Sequence, residues 1–124
     1  MSWVFKIGLG EFIDPDRKIL TNMAYSGHPP HVNDIAAYRL KGVGPIPVGT
    51  YGIGEPRDPP DHLGPLAMPL HPSASTATYG RSGFFIHGDN RAMDHTASDG
   101  CIILSHDIRA IIAESDDKTL LVTY

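Results

Sequence analysis

Short apolar stretches separated by polar or glycine-containing segments run along most of the chain. This pattern is typical of strands in a sheet that has one solvated face or lies in a core, and not of long helices. The predicted strands cover residues 3–9, 23–25, 48–53, 83–86, 101–104 and 119–124.

Two segments have helical character instead. Apolar residues follow Ser105 at i, i+3 and i+4, which places them on one face of a helix that Ser105 would cap. We expect these residues, Ile108, Ile111 and Ile112, to be core. The segment 33–40 predicts a second, short helix with Asn33 or Asp34 as its cap.

Composition limits the fold class further. Glycine and proline supply 13 and 11 of the 124 residues, which implies many turns and argues against a helical bundle. Most of the prolines fall within residues 29–72. With 41% hydrophobic and 19% charged residues the chain is not of the disordered class, and its length predicts one domain over residues 1–124. We therefore expect a single, mainly β domain with one or two short helices.

The charge pattern excludes several classes of partner. The formal net charge is −4, and the longest basic cluster is Arg17-Lys18, so a nucleic-acid partner is not expected. No apolar run approaches the ~20 residues that span a bilayer. Lys6 interrupts the apolar stretch near the N-terminus, so we expect a strand there and no signal peptide.

Candidate chemistry lies at the ends of two predicted strands. His87 ends one strand, and Cys101, the single cysteine, begins the next one 14 positions later, after a polar loop. An imidazole within hydrogen-bond reach would activate the thiol for attack on a carbonyl. Ser98-Asp99-Gly100 precedes the thiol, and a tight turn there would let backbone amides converge on an oxyanion.

Other interpretations of the same residues stay open at this point. A lone cysteine between apolar residues is more often a buried hydrophobe, and a histidine at a strand end is often only a satisfied polar residue. Polar residues of the loop (His87, Asp89, Asp94 and His95) could be drawn as a metal site, but they match no established ligand motif. Tyr51 alternates with Ile53 along a strand, which favours core packing.

Two blocks of sequence resemble the YkuD-type L,D-transpeptidases. One block is His87-Gly88 followed by residues 97–102, which read Ala-Ser-Asp-Gly-Cys-Ile. The other is residues 44–51, Gly-Pro-Ile-Pro-Val-Gly-Thr-Tyr, which is similar to the family's Thr-Pro-x-Gly-x-Tyr/Phe strand. The fuller string, with Arg81 to Asp89 and Ser98 to Leu104, is most similar to type VI secretion L,D-transpeptidase effectors.

The resemblance implies a YkuD-like β-sandwich and a role for each matched residue. Cys101 would be the nucleophile and His87 its base. The backbone amides of Asp99, Gly100 and Cys101 would form the oxyanion hole, and Ser98 would support the loop as part of the catalytic set.

The chain departs from the family pattern at two positions. Asp99 stands where the family has a histidine, and Ile103 stands where it has a polar residue, which removes a substrate contact. Arg81 or Arg91 could replace that contact as an anion binder. The further candidate substrate-binding residues are Tyr51, Gly88 and Asp89. Asp89 could instead cap a turn or orient His87 or Arg91.

The resemblance implies acyl transfer on peptidoglycan stem peptides through a thioester, with carboxypeptidase, D-amino acid exchange or cross-linking as outcomes. No metal or organic cofactor is expected. Without a leader, we expect an antibacterial effector that acts in the periplasm of a target cell, with an immunity protein as partner. The alternatives are a non-catalytic wall-binding module, a metal-dependent peptidoglycan amidase and a general cysteine peptidase.

Overall fold

A computed structural model describes residues 2–56, 66–89 and 97–124. Within these ranges the chain forms nine strands, one α-helix and one short 3-10 helix. The strands are β1 (Trp3–Lys6), β2 (Glu11–Ile13), β3 (Ile19–Thr21), β4 (Tyr25–Ser26), β5 (Gly49–Ile53), β6 (Met68–Pro72), β7 (Phe85–His87), β8 (Ile102–Ile103) and β9 (Thr119–Thr123). The helices are the 3-10 helix Ile35–Ala37 and α1 (His106–Glu114). The expected mainly β fold with one or two short helices is confirmed.

The strands hydrogen-bond in the order β3-β2-β1-β9-β5-β6-β7-β8-β4. Most neighbours are antiparallel, but β1 and β9 pair in parallel, and so do β7 and β8. The last strand therefore lies in the middle of the sheet beside the first one. Its alternation buries Leu120 and Val122 and leaves Leu121 outside, as a strand with one wet face requires.

The hydrophobic core lies against the inner faces of these strands. Its largest members are aromatic: Trp3 stacks on Phe12 with ring centroids 5.8 Å apart, and the indole Nε1 donates to the carbonyl of Asp117 at 2.7 Å. A buried tryptophan needs such an acceptor, because an unpaired N–H in the core is costly. This contact anchors β1 beside the turn that leads into β9.

Helix α1 begins and ends where the sequence predicts. The Ser105 hydroxyl accepts the amide of Ile108 at 3.4 Å, and Ser115 follows the last turn. The expectation that Ile111 is core is wrong, because that side chain is 50% exposed. Arg109 is buried in its place, and its Nε donates to the carbonyls of Leu104 and Ser105.

The predicted short helix within 33–40 is present as the 3-10 helix, and Asp34 is its cap, with its side chain accepting the amide of Ala36. Strand β6 was not predicted. It contains Pro69 and Pro72, and prolines are normally excluded from interior strands because they donate no ladder hydrogen bond. Pro69 still contributes as an acceptor, since its carbonyl takes the amide of Gly54 at 2.8 Å.

The parallel pair β7 and β8 positions the candidate chemistry. Ile86 is opposite Ile102 and His87 is opposite Ile103, so Cys101, just before β8, aligns with Phe85. Side chains of paired residues in a sheet share a face, and so do those two positions apart. His87 and Cys101 therefore project to the same face of neighbouring strands. Among the described residues, no helix is long and apolar enough to cross a membrane.

Candidate active site

A cleft of about 440 Å³ opens where these two strands meet the preceding loops. Its lining includes His87, Cys101, Gly100, Asp99 and Arg81, so the structure brings together five of the residues singled out from the sequence. The other lining residues were not predicted: Lys41, Gly42, Ser82, Gly83, Phe84, Phe85 and Ala97.

The His87 ring is buried, and its orientation is fixed by a neighbouring carbonyl. Its Nδ1 lies 2.8 Å from the carbonyl oxygen of Gly88. A carbonyl oxygen can only accept a hydrogen bond, so Nδ1 carries the hydrogen and donates a hydrogen bond to the carbonyl of Gly88. In the neutral ring Nε2 then holds the lone pair and is the nitrogen able to take a proton. A described hydrogen-bond partner of His87 is therefore a backbone carbonyl.

The Cys101 thiol lies in an environment that favours its neutral form. Burial raises the pKa of Cys101 to about 11, and the nearby Asp99 carboxylate raises it as well. The amide of Phe85, which donates to the sulfur, and the Arg81 guanidinium act in the opposite direction and lower the pKa. Cys101 Sγ also lies 3.8 Å from the carbonyl oxygen of Gly83, within the range of a weak S–H donor. A base must therefore remove the proton when the sulfur attacks.

The turn before the thiol is held by the Ser98 hydroxyl. This buried oxygen accepts the amides of Gly27 at 2.9 Å and of Gly100 at 3.1 Å, and it donates to the carbonyl of Cys101 at 2.6 Å. The predicted supporting role of Ser98 matches this geometry. The amide of Gly100 is already donated to Ser98, however, so an oxyanion hole at this turn rests on the amides of Asp99 and Cys101.

Gly100 is required at its position for two reasons. Its φ is +143°, a conformation that side chains with a Cβ rarely adopt. A Cβ there would also lie 2.6 Å from Nη2 of Arg81. Any larger residue would therefore push the arginine away from the turn.

Arg81 connects two loops through their backbones. Its guanidinium donates to the carbonyls of Pro45 at 2.7 Å, Gly44 at 2.8 Å and Asp99 at 3.3 Å, and also to that of Tyr38. The side chain is almost fully buried, and burial lowers its pKa. Arg81 was predicted as an anion binder, but its described hydrogen bonds are with backbone carbonyls. Its side chain therefore stabilises the wall of the cleft by connecting backbone segments.

Ser26 and His28 are further site residues that sequence reasoning missed. The buried Ser26 hydroxyl donates to the carbonyl of Gly100 at 3.3 Å and accepts the amide of Ile46 at 2.9 Å. Nδ1 of His28 lies 3.6 Å from Oδ1 of Asp99. Nothing in the spacing or residue types of the segment 25–28 points to these contacts.

The predicted substrate contacts Tyr51, Gly88 and Asp89 lie outside the described cleft lining. Tyr51 is fully buried, with its hydroxyl donating to the carbonyl of Pro47 at 2.7 Å, and burial raises its pKa. Asp89 accepts the hydroxyl of Tyr25 at 2.7 Å and lines a second pocket of about 330 Å³. A Cβ at Gly88 would lie 2.6 Å from Nη2 of Arg109, so this glycine allows the arginine to approach.

The loop residues Arg91, Asp94 and His95 lie outside the described residues. Within residues 2–56, 66–89 and 97–124, no group of three or more His, Cys, Asp or Glu side chains is arranged to hold a metal ion. The cleft instead combines a buried imidazole whose Nδ1 faces a backbone carbonyl, a thiol and a tight turn of backbone amides. That combination supports nucleophilic attack on a carbonyl through a covalent intermediate.

Comparison with known proteins gives a consistent result. The sequence profile of the family described as the Tlde1 domain matches residues 20–122. A cysteine-to-serine mutant of Enterococcus faecium L,D-transpeptidase superimposes with a TM-score of 0.59 at 15% identity, over 98% of this chain and 48% of that one. L,D-transpeptidase from Mycobacterium smegmatis superimposes with a TM-score of 0.57 at 19% identity, over 98% of this chain and 58% of that one. The chain thus spans about half the length of these solved proteins. No curated protein sequence matches it.

Proposed function

The chain belongs to the Tlde1 domain family and has the L,D-transpeptidase fold, and we propose from this premise that it is a cysteine-dependent acyltransferase acting on peptidoglycan stem peptides. The family membership confirms the resemblance found in the sequence. The observation that carries the proposal is the shared cleft of Cys101 and His87, in which Gly88 fixes the imidazole so that Nε2 is the base.

The first half of the reaction forms a thioester. Nε2 of His87 takes the thiol proton of Cys101 as the sulfur attacks the carbonyl carbon of the third stem residue. The amides of Asp99 and Cys101 donate to the oxygen on which negative charge develops. The carbon–nitrogen bond then breaks, and the protonated His87 returns its proton to the departing amine of the terminal D-alanine.

The second half transfers the acyl group from the sulfur. Water, a free D-amino acid or the amine of another stem peptide attacks the thioester, and His87 again removes a proton from the incoming group. These acceptors give carboxypeptidase, exchange and cross-linking activities respectively. His87 supplies the base in both halves, and Cys101 is the nucleophile in the first half and the leaving group in the second, where its thiolate takes a proton back from His87.

Mass spectrometry of purified muropeptides tests the proposal. Wild-type protein is incubated with the muropeptides in parallel with Cys101→Ala and His87→Gln. We expect loss of one alanine from tetrapeptide stems, or its exchange for an added D-amino acid, only with the wild type. Alanine release that persists in Cys101→Ala and stops with a chelator would instead identify a metal-dependent amidase. Peptide binding without any release would identify a wall-binding module, and cleavage of ordinary proteins with muropeptides left intact would identify a general cysteine peptidase.

The biological role that we propose is an antibacterial effector that damages the wall of a target cell from its periplasm, with an immunity protein that blocks the cleft. Two observations support this role. The chain belongs to the Tlde1 domain family, and its own motifs resemble those of type VI secretion L,D-transpeptidase effectors. Expression in a bacterial host with and without an added export signal tests it. Growth should stop only when the exported protein carries Cys101, and Cys101→Ala with the same export signal is the matched control.

A further inference from the structure

Asp99 places a carboxylate at the candidate active site. It is the one carboxylate among the described residues that line the cleft, and it lies two positions before the nucleophile Cys101. Its backbone is fixed, since its carbonyl accepts Nη2 of Arg81 at 3.3 Å. Its side chain, in contrast, is 78% exposed, so the carboxylate is held beside the reaction centre and stays accessible to a ligand.

Among the described residues, the contact of this carboxylate is a long one to a histidine side chain. The neighbour at hand is His28, whose Nδ1 lies 3.6 Å from Oδ1 of Asp99. That distance exceeds the 2.7–3.2 Å of a nitrogen–oxygen hydrogen bond, and the contact becomes an ion pair only when His28 is protonated. Lys41 carries the opposite charge and also lines the cleft, but it forms no ion pair with Asp99 in the part of the chain that the structure describes.

The position of Asp99 is unfavourable for the chemistry of the free protein. A negative charge near the thiol raises the pKa of Cys101, in addition to the larger effect of burial. An anion beside a nucleophile that must lose a proton opposes that loss. A cationic group bound to Asp99 would cancel this effect at the time when the substrate is in place.

We propose that Asp99 binds the side-chain ammonium of a diamino acid at the third position of the stem peptide and thereby selects substrates that carry this cation. The inference rests on the proposed function, because it takes the acyl group attacked by Cys101 to be that same third residue. A carboxylate and an ammonium form a charge-assisted hydrogen bond, and the exposed carboxylate loses little hydration when the bond forms. Bound in this way, the substrate also removes the charge that disfavours the thiolate, so the cation improves kcat as well as KM.

A pair of synthetic tetrapeptides tests the inference. Both end in D-alanine and differ only at the third residue, which is L-lysine in one and L-norleucine, with a methyl group in place of the ammonium-bearing end, in the other. The measured quantity is the ratio of kcat/KM for the two peptides, so any general effect of a variant on the turn cancels. We expect wild type to favour the lysine peptide about tenfold, the discrimination typical of one charge-assisted contact at an accessible site.

The variants of Asp99 and Lys41 then locate the contact. Asp99→Asn should bring the ratio close to one, and Asp99→Glu, which keeps the charge, should retain most of the preference. Lys41→Gln removes a cation from the same cleft and should not lower the ratio. An Asp99→Asn ratio equal to that of the wild type would overturn the inference.

Equilibrium binding separates this inference from the proposed function. Calorimetry with the Cys101→Ala protein measures the affinity of both peptides without turnover, again with and without Asp99→Asn. D-alanine release from both peptides with no Asp99-dependent preference would sink the inference and leave the proposed function standing. An Asp99-dependent preference in binding, without release of D-alanine by wild-type protein, would sink the proposed function and keep the recognition of the ammonium.

Discussion

Replacing Arg81 by methionine tests whether this side chain stabilises the cleft or serves as a binding site for an anionic ligand. Methionine has a similar length and no donors, so the change leaves the carbonyls of Tyr38, Gly44, Pro45 and Asp99 without the guanidinium. The bonds to Gly44 and Pro45 are fully buried, so water cannot replace them without opening the structure.

The expected loss of stability follows from those two buried acceptors. A buried carbonyl left without a donor costs about 1–3 kcal/mol, so the pair costs about 2–6 kcal/mol. Removing a buried cation relieves some desolvation, which is the physical cause of the lowered pKa of Arg81. We expect a net loss of about 3 kcal/mol in the free energy of unfolding, or about 10 °C in Tm for a domain of this size.

Urea unfolding monitored by the fluorescence of Trp3, the single tryptophan, measures this loss. Arg39→Met is the matched control, because that guanidinium lies over the rings of Tyr38 and Tyr79 at 5.6 and 5.1 Å on the surface. It should cost no more than about 1 kcal/mol. An Arg81→Met protein as stable as the control, with weakened binding of anionic peptides, would refute the structural role and restore the original prediction of an anion binder.

Two further predictions concern the nucleophile and its turn. Because the pKa of Cys101 is raised to about 11, alkylation of the folded protein by iodoacetamide should accelerate about tenfold per pH unit between pH 7 and pH 10; a rate that levels off near pH 7 would contradict the neutral thiol. Ser98→Ala removes the acceptor of two amides and should lower the free energy of unfolding by about 2 kcal/mol and slow D-alanine release at least tenfold. Urea unfolding and the muropeptide assay measure these effects, and unchanged values in both would show that Ser98 does not hold the turn.

His87 and Cys101 could be singled out from the sequence because the signals around them are local, and the family resemblance paired them. Each residue adjoins an apolar run short enough to be a buried strand. That the two side chains share a face was not predictable, because it depends on the parallel register of β7 and β8, in which Cys101 aligns with Phe85, two positions before His87.

Helix α1 was also predictable from local signals, since Ser105 and the apolar spacing after it lie within two turns. The exposure of Ile111 was not predictable, because the buried face of α1 is formed by Ile108, Arg109 and Ile112, and the burial of Arg109 depends on hydrogen bonds to the carbonyls of Leu104 and Ser105.

The supports of the cleft could not be predicted, because their partners are backbone atoms far along the chain. Arg81 binds carbonyls 36 and 37 positions away, and Ser26 binds one 74 positions away. Every residue has a carbonyl, so the sequence of the acceptor carries no signal for such a contact. Only the side-chain donors can be recognised in the sequence, as polar residues, and their burial becomes known only from the fold.

Two charged groups of the cleft differ in whether a ligand can reach them: one is buried and hydrogen-bonded, and the other is exposed to solvent. Arg81 and Asp99 act on Cys101 with opposite signs, the cation lowering its pKa and the anion raising it. The guanidinium donates to four backbone carbonyls and is almost fully buried, so its field on the sulfur is constant. The carboxylate is mostly exposed, so a bound cation can neutralise it. Of these two groups, only Asp99 can therefore couple the arrival of a substrate to the ionisation of the thiol, and removing its charge should make Cys101 easier to ionise before any substrate binds.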